Sequence, residues 1–338
     1  MWAFRLDSRG SLQDGGRCIT CLILWFLGFD LVAKMRVRKA AFLAGAFALR
    51  VQCVDPLLSG EPRVFAPAFY DPGGPRRADA PSLHVFPVDG PAFTLALPFQ
   101  LGKVAVSPDG KVLYGARFFD PNGRNTGLYR IELGPIRATR LPGSIGLTSV
   151  YGIAASSTKV VVSGGYLTSG LVSECGLYEL ILSSGTVHKI LSNSDCKYVS
   201  SWSSISLSPD SRKIVAVRKH RLELIDTDTQ IVQSLGEGFY DTTWSPDGRW
   251  IAALGDNGDH TVLIDPTTFE KRRTLPPSEV IWSPDSHSIL ASRLRRRCPP
   301  DFGTLELIDI ENGRKSIIES SACQIGMLVF GWINVAVR

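Results

Sequence analysis

Lys103-Val104-Ala105-Val106-Ser107-Pro108-Asp109-Gly110-Lys111-Val112-Leu113-Tyr114-Gly115-Ala116 reads as an apolar run, a tight turn and a second apolar run. The turn chemistry returns at Ser208-Pro209-Asp210-Ser211, Ser245-Pro246-Asp247-Gly248 and Ser283-Pro284-Asp285-Ser286, with an eroded copy at Ala155-Ser156-Ser157-Thr158. Ser at the first position makes local hydrogen bonds, and Pro at the second has its φ fixed near about −65°. Asp suits the third, and Gly or a small polar residue closes a type I turn. Such a turn joins antiparallel strands as a short hairpin loop. At the fourth copy Val280-Ile281-Trp282 lead in and Ser288-Ile289-Leu290-Ala291 lead out.

Each hairpin is followed by a second strand pair whose first strand ends in an acidic or polar residue. Leu222-Glu223-Leu224-Ile225-Asp226, Val262-Leu263-Ile264-Asp265 and Leu305-Glu306-Leu307-Ile308-Asp309 are the clearest cases. Gly127-Leu128-Tyr129-Arg130-Ile131 and Gly176-Leu177-Tyr178-Glu179-Leu180 stand in the same place in the first two units, and a final outer strand follows. Serines 107, 156, 208, 245 and 283 lie 49, 52, 37 and 38 residues apart. A unit of four antiparallel strands at this period suits a propeller blade of about 40–45 residues.

The Ser-Pro-Asp-Gly turn, a strand, and then L-x-L-x-D together resemble the WD-like repeats of TolB-type β-propellers, over residues 82–338. The resemblance implies an all-β fold, a six-bladed β-propeller of four-stranded antiparallel blades. Five blades are expected at about 101–141, 147–191, 203–235, 238–275 and 278–318. The pieces left over are an outer strand pair at 83–97 and an inner strand pair at 326–337. Joined, they make a last blade closed by both chain ends, which removes exposed sheet edges. The Pro-, Gly- and Arg-rich stretch within 49–81 reads as an irregular lead-in.

Residues 1–48 read as a leader. An apolar stretch at 18–33 is interrupted by Asp30 and is short for a bilayer span. Met35-Arg36-Val37-Arg38-Lys39, an apolar run and Ala46-Phe47-Ala48 then form the three regions of a signal peptide. Met35 is the expected true start, and Ala48 the expected cleavage point. The alternative is a membrane anchor at 18–33. The expected location is therefore periplasmic or extracellular, with membrane attachment only through an uncleaved N-terminal segment. The 37 basic residues outnumber the 32 acidic ones, but residues 1–48 hold seven basic and three acidic, so the remainder is nearly balanced. The basic excess is mostly leader and gives no reason to expect a nucleic-acid partner.

Cys175 and Cys298 fall between the second and third strands of their blades; Cys196 and Cys323 fall just after the fourth. In an up-and-down blade both connections emerge on one face, so disulfides Cys175–Cys196 and Cys298–Cys323 are expected in an oxidising compartment. Four free thiols are the alternative. Catalytic signatures are missing: there is no G-x-S-x-G, H-E-x-x-H, P-loop or calcium loop. His84, His188, His220, His260 and His287 are isolated in sequence and read as solvated positions, so no metal and no cofactor is expected. Arg293-Leu294-Arg295-Arg296-Arg297 reads as a solvated loop, with an acidic partner as the alternative. Trp244 and Trp282, each immediately before a turn, read as packing between blades.

Propellers bind ligands where the innermost strands begin or end. Lys103, Asp241 and Glu279 stand four residues before the turn Ser, with Tyr151 and Ser203 near the corresponding place. These five are the candidate ligand-binding residues; the competing reading makes them solvated strand ends. No catalytic residue is assigned. The expected function is an exported, monomeric binding scaffold whose partner is another envelope or extracellular protein, as the resemblance to TolB-type proteins implies. One alternative is a propeller lyase or hydrolase with Asp241 and Glu279 at the channel. Another is a membrane-anchored docking propeller.

Overall fold

In the structure, a computed structural model, all four Ser-Pro-Asp turns are built alike. The N–H of the fourth residue donates to the Ser carbonyl, at 2.8 Å in the first two copies, 3.0 Å in the third and 2.9 Å in the last. Each Ser hydroxyl donates to its Asp Oδ1 at 2.5–2.7 Å. The same hydroxyl accepts the N–H five residues on at 2.9–3.0 Å. Asp Oδ1 also accepts the N–H two residues on. The fourth residue is left-handed in every copy, Gly110, Ser211, Gly248 and Ser286 having φ of 69, 62, 77 and 63°. Two serines thus hold a conformation that glycine adopts without strain. At the eroded copy Ser156 N–H donates to the Lys159 carbonyl at 2.9 Å, so without Pro and Asp the loop is shorter.

The second repeated turn is equally regular. Oδ1 of Asp226, Asp265 and Asp309 accepts the backbone N–H groups two and three residues on, at 2.8–3.2 Å. Hydrogen bonds of this kind hold the turn carboxylates below the usual aspartate range. In Asp109, Asp247 and Asp285 burial pushes the pKa up, but the hydrogen bonds from turn hydroxyls and amides outweigh it. For Asp210 the Ser208 hydroxyl leads; for Asp226, Asp265 and Asp309 the amides of Thr229, Thr267 and Asn312 lead. A carboxylate with a lowered folded-state pKa contributes stability that is present above its unfolded pKa and lost as pH falls through the folded value. Seven turns share the effect, so the thermal midpoint should stay level from pH 8 to about pH 5 and fall steeply below about pH 4. Melting curves across that range test this; a midpoint that is level down to pH 3 contradicts it.

Residues 63–71, 81–87, 93–117, 127–167, 173–193, 202–258, 260–276, 281–293, 304–319 and 328–336 are described. All of them fall within the unit Glu61–Arg338; the leader expected over 1–48 lies outside the described residues. The strands run β1 (Arg63–Asp71), β2 (Ser82–Val85), β3 (Phe93–Ala96), β4 (Lys103–Val106), β5 (Val112–Arg117), β6 (Gly127–Leu133) and β7 (Ile136–Arg140). Next come β8 (Leu147–Ala155), β9 (Lys159–Leu167), β10 (Ser173–Ile181), β11 (Val187–Asn193), β12 (Trp202–Leu207), β13 (Lys213–Arg218), β14 (Arg221–Asp226) and β15 (Val232–Glu237). The last are β16 (Phe239–Trp244), β17 (Ile251–Gly255), β18 (Thr261–Ile264), β19 (Lys271–Leu275), β20 (Ile281–Trp282), β21 (Ser288–Arg293), β22 (Thr304–Asp309), β23 (Lys315–Glu319) and β24 (Leu328–Ala336).

Strands β4–β7, β8–β11, β12–β15, β16–β19 and β20–β23 make five four-stranded antiparallel sheets in chain order, the blades of an all-β propeller. A further sheet has the order β24-β1-β2-β3 and so draws on both ends of the described chain. Here two expectations are corrected. Residues 63–71, expected within an irregular lead-in, form β1, which pairs with β24 from Arg63↔Ala336 to Tyr70↔Leu328. The C-terminal stretch, expected to be an inner strand pair, is the single strand β24; β1 supplies the second strand. Pro67 disguised β1, since proline is rare inside sheets. It is tolerated because β2 pairs only with Ala68–Asp71, leaving β24 as the sole neighbour at Pro67.

Core clusters lie between successive sheets. Leu83, Val85 and Ile333 pack on Leu101, Leu113 and Ile131. Tyr114 and Leu128 meet Val160 and Tyr178, and Val161 and Leu177 meet Ile214 and Ala216. Val215 and Leu224 meet Ile251 and Val262, Ala252 and Leu263 meet Trp282 and Ile289, and Leu290 meets Phe86. The turns also link across sheets. Asp247 N–H donates to Ser286 Oγ at 3.0 Å, and Asn334 N–H donates to the Gly110 carbonyl at 2.8 Å.

Candidate functional site

The first strand of each sheet lines a central cavity of about 520 Å³. Its walls are Val104, Ile153, Ile205 and Thr242 at one level, and Val106, Leu207, Trp244, Trp282 and Trp332 deeper in. At the far end stand the turn prolines Pro108, Pro209, Pro246 and Pro284. Within each turn at that end the Ser hydroxyl is satisfied by its own aspartate and amide, while among the described residues the buried indole N–H groups of Trp244, Trp282 and Trp332 have no hydrogen-bond partner. Thr242 Oγ1 likewise donates to the Ala252 carbonyl at 3.1 Å. Trp244 and Trp282 pack between sheets, as expected, and wall the cavity as well.

The opposite end is shaped by β-bulges at a repeated position. In β8 the register slips between Val150 and Gly152, in β12 between Trp202 and Ser204, and in β16 between Phe239 and Asp241. The extra residues are Tyr151, Ser203 and Tyr240, each five before the turn serine. In the sheet built from both ends, the slip between Ala68 and Phe69 leaves Phe330 as the extra residue. A bulge breaks the period of two and re-aims the side chains that precede it. Phe239 and Trp244, five residues apart, therefore share one core cluster, as do Trp202 and Ile205, three apart.

This end is the lip on which the candidate residues were expected. Lys103 opens β4, half-buried; Tyr151 and Ser203 are half-buried bulge residues; Asp241 is half-buried in β16. Glu279 lies outside the described residues. Two lip residues escaped the sequence reading. Tyr240 is 60% exposed, an unusual presentation for a large aromatic side chain. Ser204, not Ser203, reaches the next sheet: its hydroxyl donates to Asp241 Oδ1 and accepts the Thr242 N–H at 3.1 Å. Asp241 Oδ1 also accepts the Thr242 N–H at 2.8 Å. Counting back five residues from each turn serine, rather than four, picks out Tyr240. At Gly152 a Cβ would sit 2.9 Å from the Trp202 carbonyl oxygen, so glycine lets β8 and β12 approach closely there.

Beneath the lip lies a buried ionic cluster. Glu223, 3% exposed, accepts Trp202 Nε1–H at 2.9 Å on Oε2. Its Oε1 accepts Arg218 Nη2–H at 2.8 Å and Nε–H at 3.3 Å. The guanidinium also stacks 4.7 Å from the Trp202 ring centre. Trp202 immediately precedes the Ser203 bulge, so the cluster anchors that bulge from below. The adjoining turn is clamped too: the His220 carbonyl accepts Gly238 and Phe239 N–H at 2.9 and 3.0 Å, and His220 Nδ1 lies 2.7 Å from Asp256 Oδ1.

Elsewhere, Cys175, expected between the second and third strands, lies within β10, paired with Gly165 and Asn193, and is buried and disulfide-bonded, while Cys196, Cys298 and Cys323 lie outside the described residues, as does most of the arginine-rich loop after Arg293. Among the described residues no three His, Cys, Asp or Glu side chains are grouped to hold a metal ion. None of the helices among them is long and apolar enough to cross a membrane.

No protein-family model matches the chain, and no curated protein matches it. Solved structures do. TolB from Acinetobacter baumannii is 18% identical with a TM-score of 0.54, the match covering 81% of this chain and 68% of that one. A chain of a nidogen/laminin complex is 11% identical with a TM-score of 0.56, covering 81% and 99%. At these identities the likeness is one of fold, and in fold the chain is similar to the TolB-type β-propellers.

Proposed function

We propose that the chain is a six-bladed propeller, its ring closed by the sheet that both ends build, and that it works by binding a protein partner at the bulged lip. The observation that carries this reading is the contrast between the two ends of the cavity. At the turn end the Ser and Asp side chains of each turn bond one another. At the lip, Tyr240 is exposed beside Asp241, on a backbone pinned by Ser204 at Thr242 and by the His220 carbonyl at Phe239. Exposed Tyr on a rigid frame is the composition of interface hot spots. Binding is favoured over catalysis because the displaced pKa values belong to groups with structural partners. These are the turn aspartates, the buried Tyr114 and Tyr178, and Arg130 and Arg249 beside Glu132 and Asp247.

The protein is exported by the signal peptide that starts at Met35, and acts in the periplasm or outside the cell as a monomer. Its partner is another envelope or extracellular protein. The disulfide at Cys175 supports an oxidising compartment, and Cys175–Cys196 and Cys298–Cys323 are the proposed pairs. The variant Tyr240→Ala/Asp241→Asn should retain the native partner at least about tenfold more weakly than wild type. Ile317→Ala, equally exposed on the outer strand β23, should leave retention unchanged. Equal losses from both variants, or no loss from the lip variant, contradict the reading.

A further inference from the structure

The lip and the cavity below it form one graded shaft. Lys103, Ser204 and Asp241 each stand four residues before a turn serine, and Val104, Ile205 and Thr242, next in their strands, already wall the cavity. Three polar residues are thus followed, one residue on, by the apolar Val104 and Ile205 and by Thr242, whose hydroxyl is bonded to the Ala252 carbonyl, with the indoles of Trp244 and Trp332 deeper still. A volume of about 520 Å³ falls in the range of small-molecule pockets.

The polar group fixed here is Asp241. Both of its hydrogen bonds end on Oδ1. Among the described residues Oδ2 has no hydrogen-bond partner and Asp241 no ion pair. Its backbone position is set by the bulge, which also displays Tyr240, the preceding residue, at 60% exposure. A carboxylate held in place beside an aromatic ring is the pairing that receives an organic ammonium: a charge-assisted hydrogen bond on one side and the ring face on the other. Lys103 occupies the corresponding position on another blade, and its flexible ammonium lacks comparable hydrogen bonds among the described residues.

Resting on the lip as the binding end, we infer that the shaft takes a small amine with an apolar body, its ammonium on Asp241 Oδ2 and Tyr240 and its body against Ile153, Ile205, Trp244 and Trp332. The partner protein and the amine then meet at one lip, and occupancy of the shaft alters the surface the partner sees.

The test titrates the full-length protein at pH 7 with n-hexylamine, hexan-1-ol and hexanoate, followed by calorimetry and by the fluorescence of the cavity tryptophans. Hexylamine is cationic at this pH and should bind at least about tenfold more tightly than the other two. Asp241→Asn, which preserves shape and an acceptor for Ser204, should remove that preference. Ile317→Ala, exposed on the outer strand β23, should leave it intact, and Tyr240→Leu should weaken amine binding by about threefold or more. Hexanoate binding best, or equal binding of all three, overturns the amine assignment while leaving the shaft a binding site. No binding of any probe, with partner retention still lost in Tyr240→Ala/Asp241→Asn, overturns the inference and leaves the lip as the partner site. Loss of neither defeats both readings.

Discussion

Deleting residues 328–338 should abolish cooperative folding of the propeller. Those residues contain β24, the first strand of the sheet that both ends build, which pairs with β1 at eight positions from Arg63 to Tyr70. Ile333 is fully buried in the core that this sheet shares with Leu101, Leu113 and Ile131. Gly331 packs so closely on Val106 that a Cβ there would approach it to 2.9 Å. The Asn334 amide holds the first Ser-Pro-Asp turn. Removal therefore strips one cavity wall, bares the ladder edge of β1 and opens the core on the first blade. Losing the Ile333 side chain alone costs about 2–5 kcal/mol, against a typical total stability of about 5–15 kcal/mol. Thermal unfolding by circular dichroism should show a broad, non-cooperative change in the truncated chain and strong binding of a hydrophobic dye. A sharp transition within a few degrees of the full-length midpoint would show that β24 is dispensable.

The second large effect is expected at Glu223→Ala. The substitution leaves the Trp202 indole N–H without its acceptor and Arg218 without its carboxylate, inside a site where Glu223 is 3% exposed. Breaking a buried ion pair by removing one partner typically costs about 3–5 kcal/mol. The Arg218 side chain is 32% exposed and water recovers part of the loss, so about 3 kcal/mol is expected. Glu223→Gln retains an acceptor for Trp202 and should cost less. Because Trp202 anchors the bulge at Ser203, Glu223→Ala should also weaken partner binding, although Glu223 lies below the lip. Urea unfolding measures the stability term; a difference under about 1 kcal/mol would mean the cluster behaves as a surface pair.

Much of the architecture is legible in the residues because the repeated turn is a local event. Ser107, Asp109 and Gly110 make their decisive bonds within five residues, so the chemistry reads directly from sequence. The eroded turn at Ser156 and the Asp226, Asp265 and Asp309 turns are legible for the same reason. β1 was hidden because its partner, β24, lies at the other end of the chain, and Pro67 looks like a strand breaker until β2 is known to stop short of it. At the lip, Lys103 and Asp241 could be placed by counting back from the turn. Tyr240 is reached only by counting back five rather than four, and that the fifth residue is the extra one of a bulge is set by pairing with the neighbouring strand. Ser204 was missed for being one residue from Ser203, a distance that decides which sheet face a side chain occupies. Glu223 stands in an alternating strand and reads as solvent-facing; only Arg218 and Trp202 together make its burial tolerable.

The most direct test of the central claim, that the bulged lip is the working end, is site-specific photo-crosslinking in the native cell. A photoreactive phenylalanine analogue is placed in turn at Tyr240 on the lip, at Pro246 on the turn end and at Ile317 on the outer rim. A discrete partner adduct from position 240, with none from 246 or 317, is the predicted result. An adduct from 246 or 317, with none from 240, would contradict the account and move the binding site to another face of the propeller.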